Sequence, residues 1–253
     1  MNTIISHIAY TPIRKEPDHR SEQVSQLLFG ESAEIVDTKA EWLLVKSNFD
    51  NYTGWVEEGA IQVADPAFLS VKKIIISEPL IRIAHKDVVM IIPGGAELPQ
   101  PDPEGFFQFG QKHWCITNYV KEEKISSSNS IVTTAMKFIN APYLWGGRNV
   151  FGIDCSGFTQ LVYKIHSFPL PRDARDQANI GDPVLSLSEA KPGDLLFFNI
   201  KEGLISHTGI LLDDERIIHA SKWVRTDKVD EKGIFKPENK KYTHQLSSIR
   251  RYK

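Results

Sequence analysis

The 253-residue sequence is poor in cysteine, holding only Cys115 and Cys155. Two thiols build neither a disulfide framework nor a four-thiolate zinc site, so any cysteine chemistry rests on a single thiol. No run approaches 18 apolar residues, which leaves no segment suited to cross a bilayer as a helix. The opening stretch, MNTIISHIAYTPIRKEP, has no basic start, apolar run or small-residue cleavage site, so a cytoplasmic protein without membrane association is expected. Positive charge is not in excess either. The 30 Lys and Arg are set against 32 Asp and Glu, a formal net charge of −2, and a nucleic-acid partner is not expected. His7, His19, His85, His113, His166 and His244 show no metal-ligand spacing such as His-x-x-x-His, so neither metal nor other cofactor is expected.

What is present is an ordinary globular composition, 41% hydrophobic and 25% charged, long enough for more than one core. Residues 1–63 show short apolar runs broken by polar loops, with a helical period only around Val24 to Phe29. Within them, EWLLVKSNFDNYTGWVEEGAI pairs two strand-like pieces across an Asn/Asp-rich turn and ends in Gly-Trp-Val. This resembles a bacterial SH3 domain. Residues 64–125 repeat the texture through VKKIII, LIRIA, VVMII, FFQFG and HWCITNYV, which reads as a second, diverged SH3-like barrel, the alternative being one irregular all-β domain across both. Lys121 to Asn129 is a polar, serine-rich linker that also offers helix caps.

A third domain is expected over residues 126–253. Ile131, Ala135, Phe138 and Ile139 make one helical stripe ended by Pro142, and Phe158, Leu161, Val162 and Ile165 make another that opens at or beside Cys155. Strand-like LLFFNI, SHTGILL, RIIHAS and LSSIRRY follow. Helices followed by an antiparallel sheet give an α+β domain.

Cys155 sits where the unpaired N–H groups and dipole of a helix start favour a thiolate, with Asp154 as a natural cap. A lone cysteine there is also compatible with a small buried core residue. Nucleophilic catalysis adds two requirements, a base within reach and a group that orients the base. His207 opens one predicted strand and His219 closes the next, around the turn Asp213-Asp214-Glu215. An odd number of turn residues places both histidines on one face of the hairpin; a two-residue turn separates them.

Tyr143-Leu144-Trp145-Gly146-Gly147, Asp154-Cys155-Ser156-Gly157-Phe158, Leu170-Pro171-Arg172, Pro192-Gly193-Asp194-Leu195, His207-Thr208-Gly209-Ile210 and Ile218-His219-Ala220-Ser221 occur in this order. Together they resemble the NlpC/p60 family of bacterial cysteine peptidases, whose catalytic domain has a compact papain-like fold. The resemblance implies Cys155 as nucleophile, His207 as general base and then acid, and His219 as the group orienting His207. It implies cleavage of murein stem peptides between γ-D-glutamate and the diamino acid. Two SH3-like domains and no export signal resemble the dipeptidyl-peptidase branch that recycles murein tripeptides or tetrapeptides, releasing L-Ala-γ-D-Glu from a free amino terminus. A monomer is expected.

A free L-Ala ammonium requires carboxylates, and Asp154 is the nearest candidate. The resemblance adds an SH3-domain glutamate and tyrosine, for which Glu22 and Tyr52 are the positions here; a solvated helix-face charge and a barrel aromatic are their plainer readings. Arg172 matches the family arginine for the D-Glu carboxylate, with Arg175 and Arg148 as competitors. Ser156 is a substrate hydrogen-bond candidate or a capping residue. Tyr143 could line the oxyanion position or pack as a core aromatic. Trp42, Trp55 and Trp145 read as core, and Cys115 as a small buried residue. The competing functions are an exported wall endopeptidase acting on intact peptidoglycan, an amidase or acyltransferase on the same fold, and a catalytically idle binding module.

Overall fold

The computed structural model describes residues 3–117, 130–201, 203–236 and 240–252. Two compact units emerge: one takes the chain through Ser126 together with Trp145–Val150, and the other takes Ser127–Leu144 with Phe151–Lys253. Trp145–Val150, inside the stretch expected to be catalytic, thus clusters with the first unit. The linker Lys121–Asn129 lies outside the described residues. Among the described residues no helix is long and apolar enough to cross a membrane.

The first unit opens with β1 (Thr3–Ser6), β2 (Tyr10–Arg14), β3 (Gln23–Leu28), β4 (Ser32–Lys39), β5 (Trp42–Ser47), β6 (Thr53–Glu57) and β7 (Ile61–Val63). They form one sheet in the order β3-β2-β6-β5-β4-β1-β7. Alternation buries Ile4, Ile13, Leu27, Leu43, Val45 and Val56 on its inner face. The helical period around Val24 to Phe29 is overridden: this stretch is β3 and the residue after it, because its apolar side chains are needed by the barrel core rather than by a helix stripe. Glu22 therefore precedes a strand and occupies no helix face.

The second stretch contains α1 (Pro66–Ser70), β8 (Lys73–Ile75), β9 (Leu80–His85), β10 (Val88–Pro93), β11 (Glu97–Pro99), β12 (Phe106–Phe109) and β13 (Lys112–Ile116). Its strands make a sheet ordered β10-β9-β13-β12 and a separate β11–β8 ladder. The core beneath them, with Ile83, Ile92, Leu98, Phe107 and Trp114, also takes in Ile5 and Phe29 from the preceding sheet. Residue 63 is thus a boundary in the chain but not in the core, and a single SH3-like barrel is what the architecture evidences ahead of the α+β unit. β14 (Arg148–Asn149) belongs to this unit as well.

The second unit holds α2 (Ile131–Met136), β15 (Gly152–Ile153), α3 (Cys155–Ile165), α4 (Ala174–Gln177) and β16 (Asp182–Val184). After these come β17 (Leu195–Lys201), β18 (Leu204–Asp213), β19 (Arg216–Ser221), β20 (Trp223–Asp230), β21 (Gly233–Lys236) and β22 (Lys241–Arg251). Ser130 caps α2 through its hydroxyl, and the helix stops at Met136, short of the stripe read from sequence, so Ile139 is exposed. Every residue of α3 is buried. The sheet order is β16-β22-β17-β18-β19-β20-β21, and β21 also pairs with β22, so strands β17 to β22 close into a barrel. Leu196, Phe198, Leu211, Ile217, Val229, Ile234 and Ile249 fill one of its faces.

Candidate active site

Asp154 holds the extended conformation of an N-cap, and its Oδ1 accepts the Gly157 N–H at 2.7 Å, satisfying one of the orphan donors of α3. Cys155 is therefore the first residue of a buried helix that packs against β18 and β19. Its thiol is pushed up to about 12, first by burial and then by the Asp154 carboxylate; backbone N–H groups of Thr208 and Ser156 and the charge of Arg172 pull the other way and are outweighed. Desolvation and a neighbouring anion exceed the dipole, so the thiol stays protonated at neutral pH and needs a base.

Arg172 and Asp154, expected as separate substrate contacts, are paired with each other. Arg172 Nη2 donates to Asp154 Oδ2 at 2.5 Å and Nη1 to Oδ1 at 3.0 Å, while Nη1 also donates to Ser156 Oγ at 2.9 Å; all three residues are buried. The bidentate geometry is that of a strong charge-assisted pair. Gln177, which the sequence did not single out, fastens this arrangement: its Nε2 donates to the Pro171 and Ser156 carbonyls, and its Oε1 accepts from the Thr159 hydroxyl at 2.8 Å.

The competing arginines are placed elsewhere. Arg175 is exposed on α4. Arg148 is buried in the first unit, where it donates to both oxygens of Glu31 and to the Gln26 carbonyl, so it is a packing residue. Tyr143 is half-buried, and burial first, then the charges of Cys155 and Asp154, raise its phenol above the ordinary range. Its phenol therefore stays protonated.

Glu22 and Tyr52 belong to the first unit. Glu22 Oε1 accepts the Trp145 indole N–H at 2.7 Å, and Lys15 Nζ lies 3.8 Å from its Oε2. Tyr52 closes the Asn/Asp-rich turn, its N–H donating to Asp50 Oδ1. Trp145, read as core, is 60% exposed, whereas Trp42 is buried and Trp55 half-buried. Cys115 is half-buried on β13.

β18 and β19 are joined through a two-residue turn, the case that would part His207 from His219. A bulge at Leu212 supplies the missing residue: the pairs Ile210–Ile218 and Leu211–Ile217 keep one register, and Asp213–Arg216 is shifted by one. Parity is thereby restored. His207 Nε2 lies 2.7 Å from His219 Nδ1, both rings buried. His219 Nε2 lies 2.9 Å from Asp227 Oδ2 on β20, and Arg225 donates to Asp227 Oδ1 at 2.6 Å. His244 on β22 stacks on His207, with centroids 4.3 Å apart. These residues share the face that carries the Leu211, Ile217 and Val229 core, at its polar end.

Burial, reinforced by neighbouring imidazoles and Lys236, holds His207 well below the ordinary histidine range. Burial also lowers His219, although Asp227 opposes it. Asp227 would be raised by burial, but hydrogen bonds from His219 and Arg225 together keep it below the ordinary range. The site is a neutral thiol, two neutral imidazoles and an anchored carboxylate. The sequence gives little signal for Asp227 and His244: no continuous apolar run marks β20 as a strand, and His244 stands in no recognisable motif. Placing Val229 on a strand would have put Asp227 on the same inward face.

Residues 140–245 match the NlpC/P60 family, and residues 13–61 match the bacterial dipeptidyl-peptidase SH3 domain. The chain therefore carries an NlpC/P60-family cysteine-peptidase fold with an N-terminal SH3-like domain. More particularly, it is related to the gamma-D-glutamyl-L-lysine dipeptidyl-peptidase of Bacillus subtilis (strain 168), being 29% identical over 216 residues that cover 78% of this chain and 72% of the relative. Dipeptidyl-peptidase 6 of Lysinibacillus sphaericus is 25% identical over 81% of this chain and 83% of its own length. In fold it matches the crystal structure of an NlpC/P60 family protein from Bacillus cereus with a TM-score of 0.84 at 20% identity, covering 99% of both chains.

Proposed function

We propose that this protein is a peptidoglycan-active cysteine peptidase that hydrolyses the γ-D-glutamyl-diamino acid bond of murein stem peptides with a free N-terminal L-Ala, releasing L-Ala-γ-D-Glu. The carrying observation is the Cys155 thiol at the start of α3, reached by the backbone N–H of Thr208, the residue that follows His207, whose ring is tied to His219. Kinship with gamma-D-glutamyl-L-lysine dipeptidyl-peptidases supports the choice of bond.

In this reading His207 takes the thiol proton as Cys155 Sγ attacks the γ-carbonyl carbon. The backbone N–H of Cys155 and the phenol of Tyr143 hold the developing oxyanion. His207 then returns the proton to the departing diamino-acid amine, and a water deprotonated by His207 releases the dipeptide from the thioester. Asp154 serves the L-Ala ammonium and Arg172 the D-Glu carboxylate, with Ser156 between them. Residues 64–117 are read as a second, diverged SH3-like barrel.

The test is a mass-spectrometric digest of L-Ala-γ-D-Glu-diaminopimelate beside its N-acetylated form, with wild type and Cys155→Ala. Release of L-Ala-γ-D-Glu from the free tripeptide alone, and only with Cys155, is expected. Cleavage of both forms would move the function to the intact wall, and cleavage of neither would refute peptidase action on this bond.

A further inference from the structure

The tautomers of two histidines follow from one carboxylate. Asp227 can only accept hydrogen bonds when ionised, and its Oδ1 is already taken by Arg225 Nη2 at 2.6 Å. Its Oδ2, 2.9 Å from His219 Nε2, therefore obliges that nitrogen to carry the proton. A neutral His219 then has its lone pair on Nδ1. That lone pair faces His207 Nε2 at 2.7 Å, which obliges Nε2 of His207 to carry its proton and leaves Nδ1 as the basic nitrogen. Burial of both rings disfavours the doubly protonated forms that would blur the sequence.

The geometry is equally specific about how Asp227 is held. It lies diagonally from His219 across the β19–β20 ladder, in which His219 faces Arg225 and Ile217 faces Asp227. The Arg225 guanidinium lies over the Trp223 ring at 4.9 Å, so the residue that pins the carboxylate is itself seated.

We infer that Asp227 is a positioning residue that sets the tautomers of His219 and, through it, His207, with Arg225 fixing which oxygen faces the imidazole. It touches no substrate. Its kinetic consequence rests on the proposed role of His207 as the base that takes the Cys155 proton; the tautomers themselves do not.

Asp227→Asn separates this role from simple packing, because it keeps shape while changing one acceptor into a donor. Arg225 still requires an oxygen, so the new amide turns its NH2 toward His219 Nε2. His219 must then accept there and carry its proton on Nδ1, and His207 in turn carries its proton on Nδ1, with no basic nitrogen for the thiol. The expected loss is on the order of 10⁴-fold in kcat with little change in KM, the size that a wrong-tautomer base produces elsewhere. Asp227→Ala, which imposes no tautomer, should lose less than Asp227→Asn, and Asp227→Glu should recover much of the activity. Adding Arg225→Met to Asp227→Asn frees the amide to rotate and should restore activity in part. A packing role predicts the opposite order, with Ala worse than Asn and no rescue from Arg225→Met.

The direct readout is the two-bond 15N–1H spectrum of the imidazoles. In the wild type His207 should show a pyridine-type Nδ1 and a pyrrole-type Nε2, and in Asp227→Asn the reverse. A wild-type His207 with its proton on Nδ1, or a folded Asp227→Asn protein with unchanged ring signals, overturns the inference without recourse to activity. Retention of cleavage by Cys155→Ala would instead refute the peptidase reading and leave the ring assignment standing.

Discussion

Gly209 and His219 stand so close across β18 and β19 that no methyl group fits between them: a Cβ on Gly209 would lie 2.8 Å from the His219 Cβ, 2.7 Å from Ile217 Cδ1 and 2.8 Å from the Ile218 carbonyl. The glycine lets the two histidine-bearing strands come together, and the 2.7 Å contact of the rings depends on that approach.

Gly209→Ala should therefore separate the strands locally, at a cost of about 1–3 kcal/mol as for other overpacking changes. A displacement of His219 by a fraction of an ångström or more should lower kcat by on the order of 10²-fold. Urea unfolding and turnover of the γ-D-glutamyl tripeptide check the two effects. Wild-type kcat would show that the ring contact tolerates the shift.

Stability of the second unit should fall on acidification. His207, His219 and His244 are all held below the ordinary value of 6.5, chiefly by burial, and His244 lies at about 4. A base with a depressed folded-state pKa gives its stabilisation fully above 6.5; as pH falls below that value the unfolded chain binds protons that the folded chain refuses. Unfolding midpoints should decline between pH 6.5 and about 4, and His244→Gln should flatten part of the slope. An equal slope in the variant would remove His244 from the account.

Tyr143→Phe tests the phenol proposed to hold the oxyanion. Loss of an oxyanion donor should lower kcat by roughly 10²–10³-fold with KM little changed. An unaltered kcat would identify Tyr143 as a packing aromatic.

In the first unit, Glu31→Gln should destabilise by about 3–5 kcal/mol, because it leaves the buried Arg148 guanidinium without its counter-charge. Thermal unfolding measures it, and Glu31→Gln combined with Arg148→Met should recover a good part of the loss. A single variant as stable as wild type would show that the other partners of Arg148, among them the Gln26 carbonyl 2.6 Å from Nη1, suffice.

The legible parts of this protein are those written in neighbouring residues. Asp154 caps α3 and Cys155 opens it because an N-cap side chain and the N–H it accepts are three residues apart. Strands β5 and β6 follow from alternation around an Asn/Asp-rich turn. Where a short segment carried mixed signals, as from Val24 to Phe29, the local period pointed to a helix and the demands of the barrel core decided for a strand.

The sequence by itself determined the order of the blocks, the helix-start thiol and the identity of the two histidines. Tertiary structure decided how they work. One bulged residue, Leu212, sets whether His207 and His219 share a face, and no propensity distinguishes a bulged hairpin from a regular one. Asp154 and Arg172 neutralise each other, and Arg148 is spent on Glu31, because burial forces charges from distant parts of the chain into pairs. Asp227 reaches His219 only through the pairing of β19 with β20, and from that contact the proton positions of two imidazoles follow.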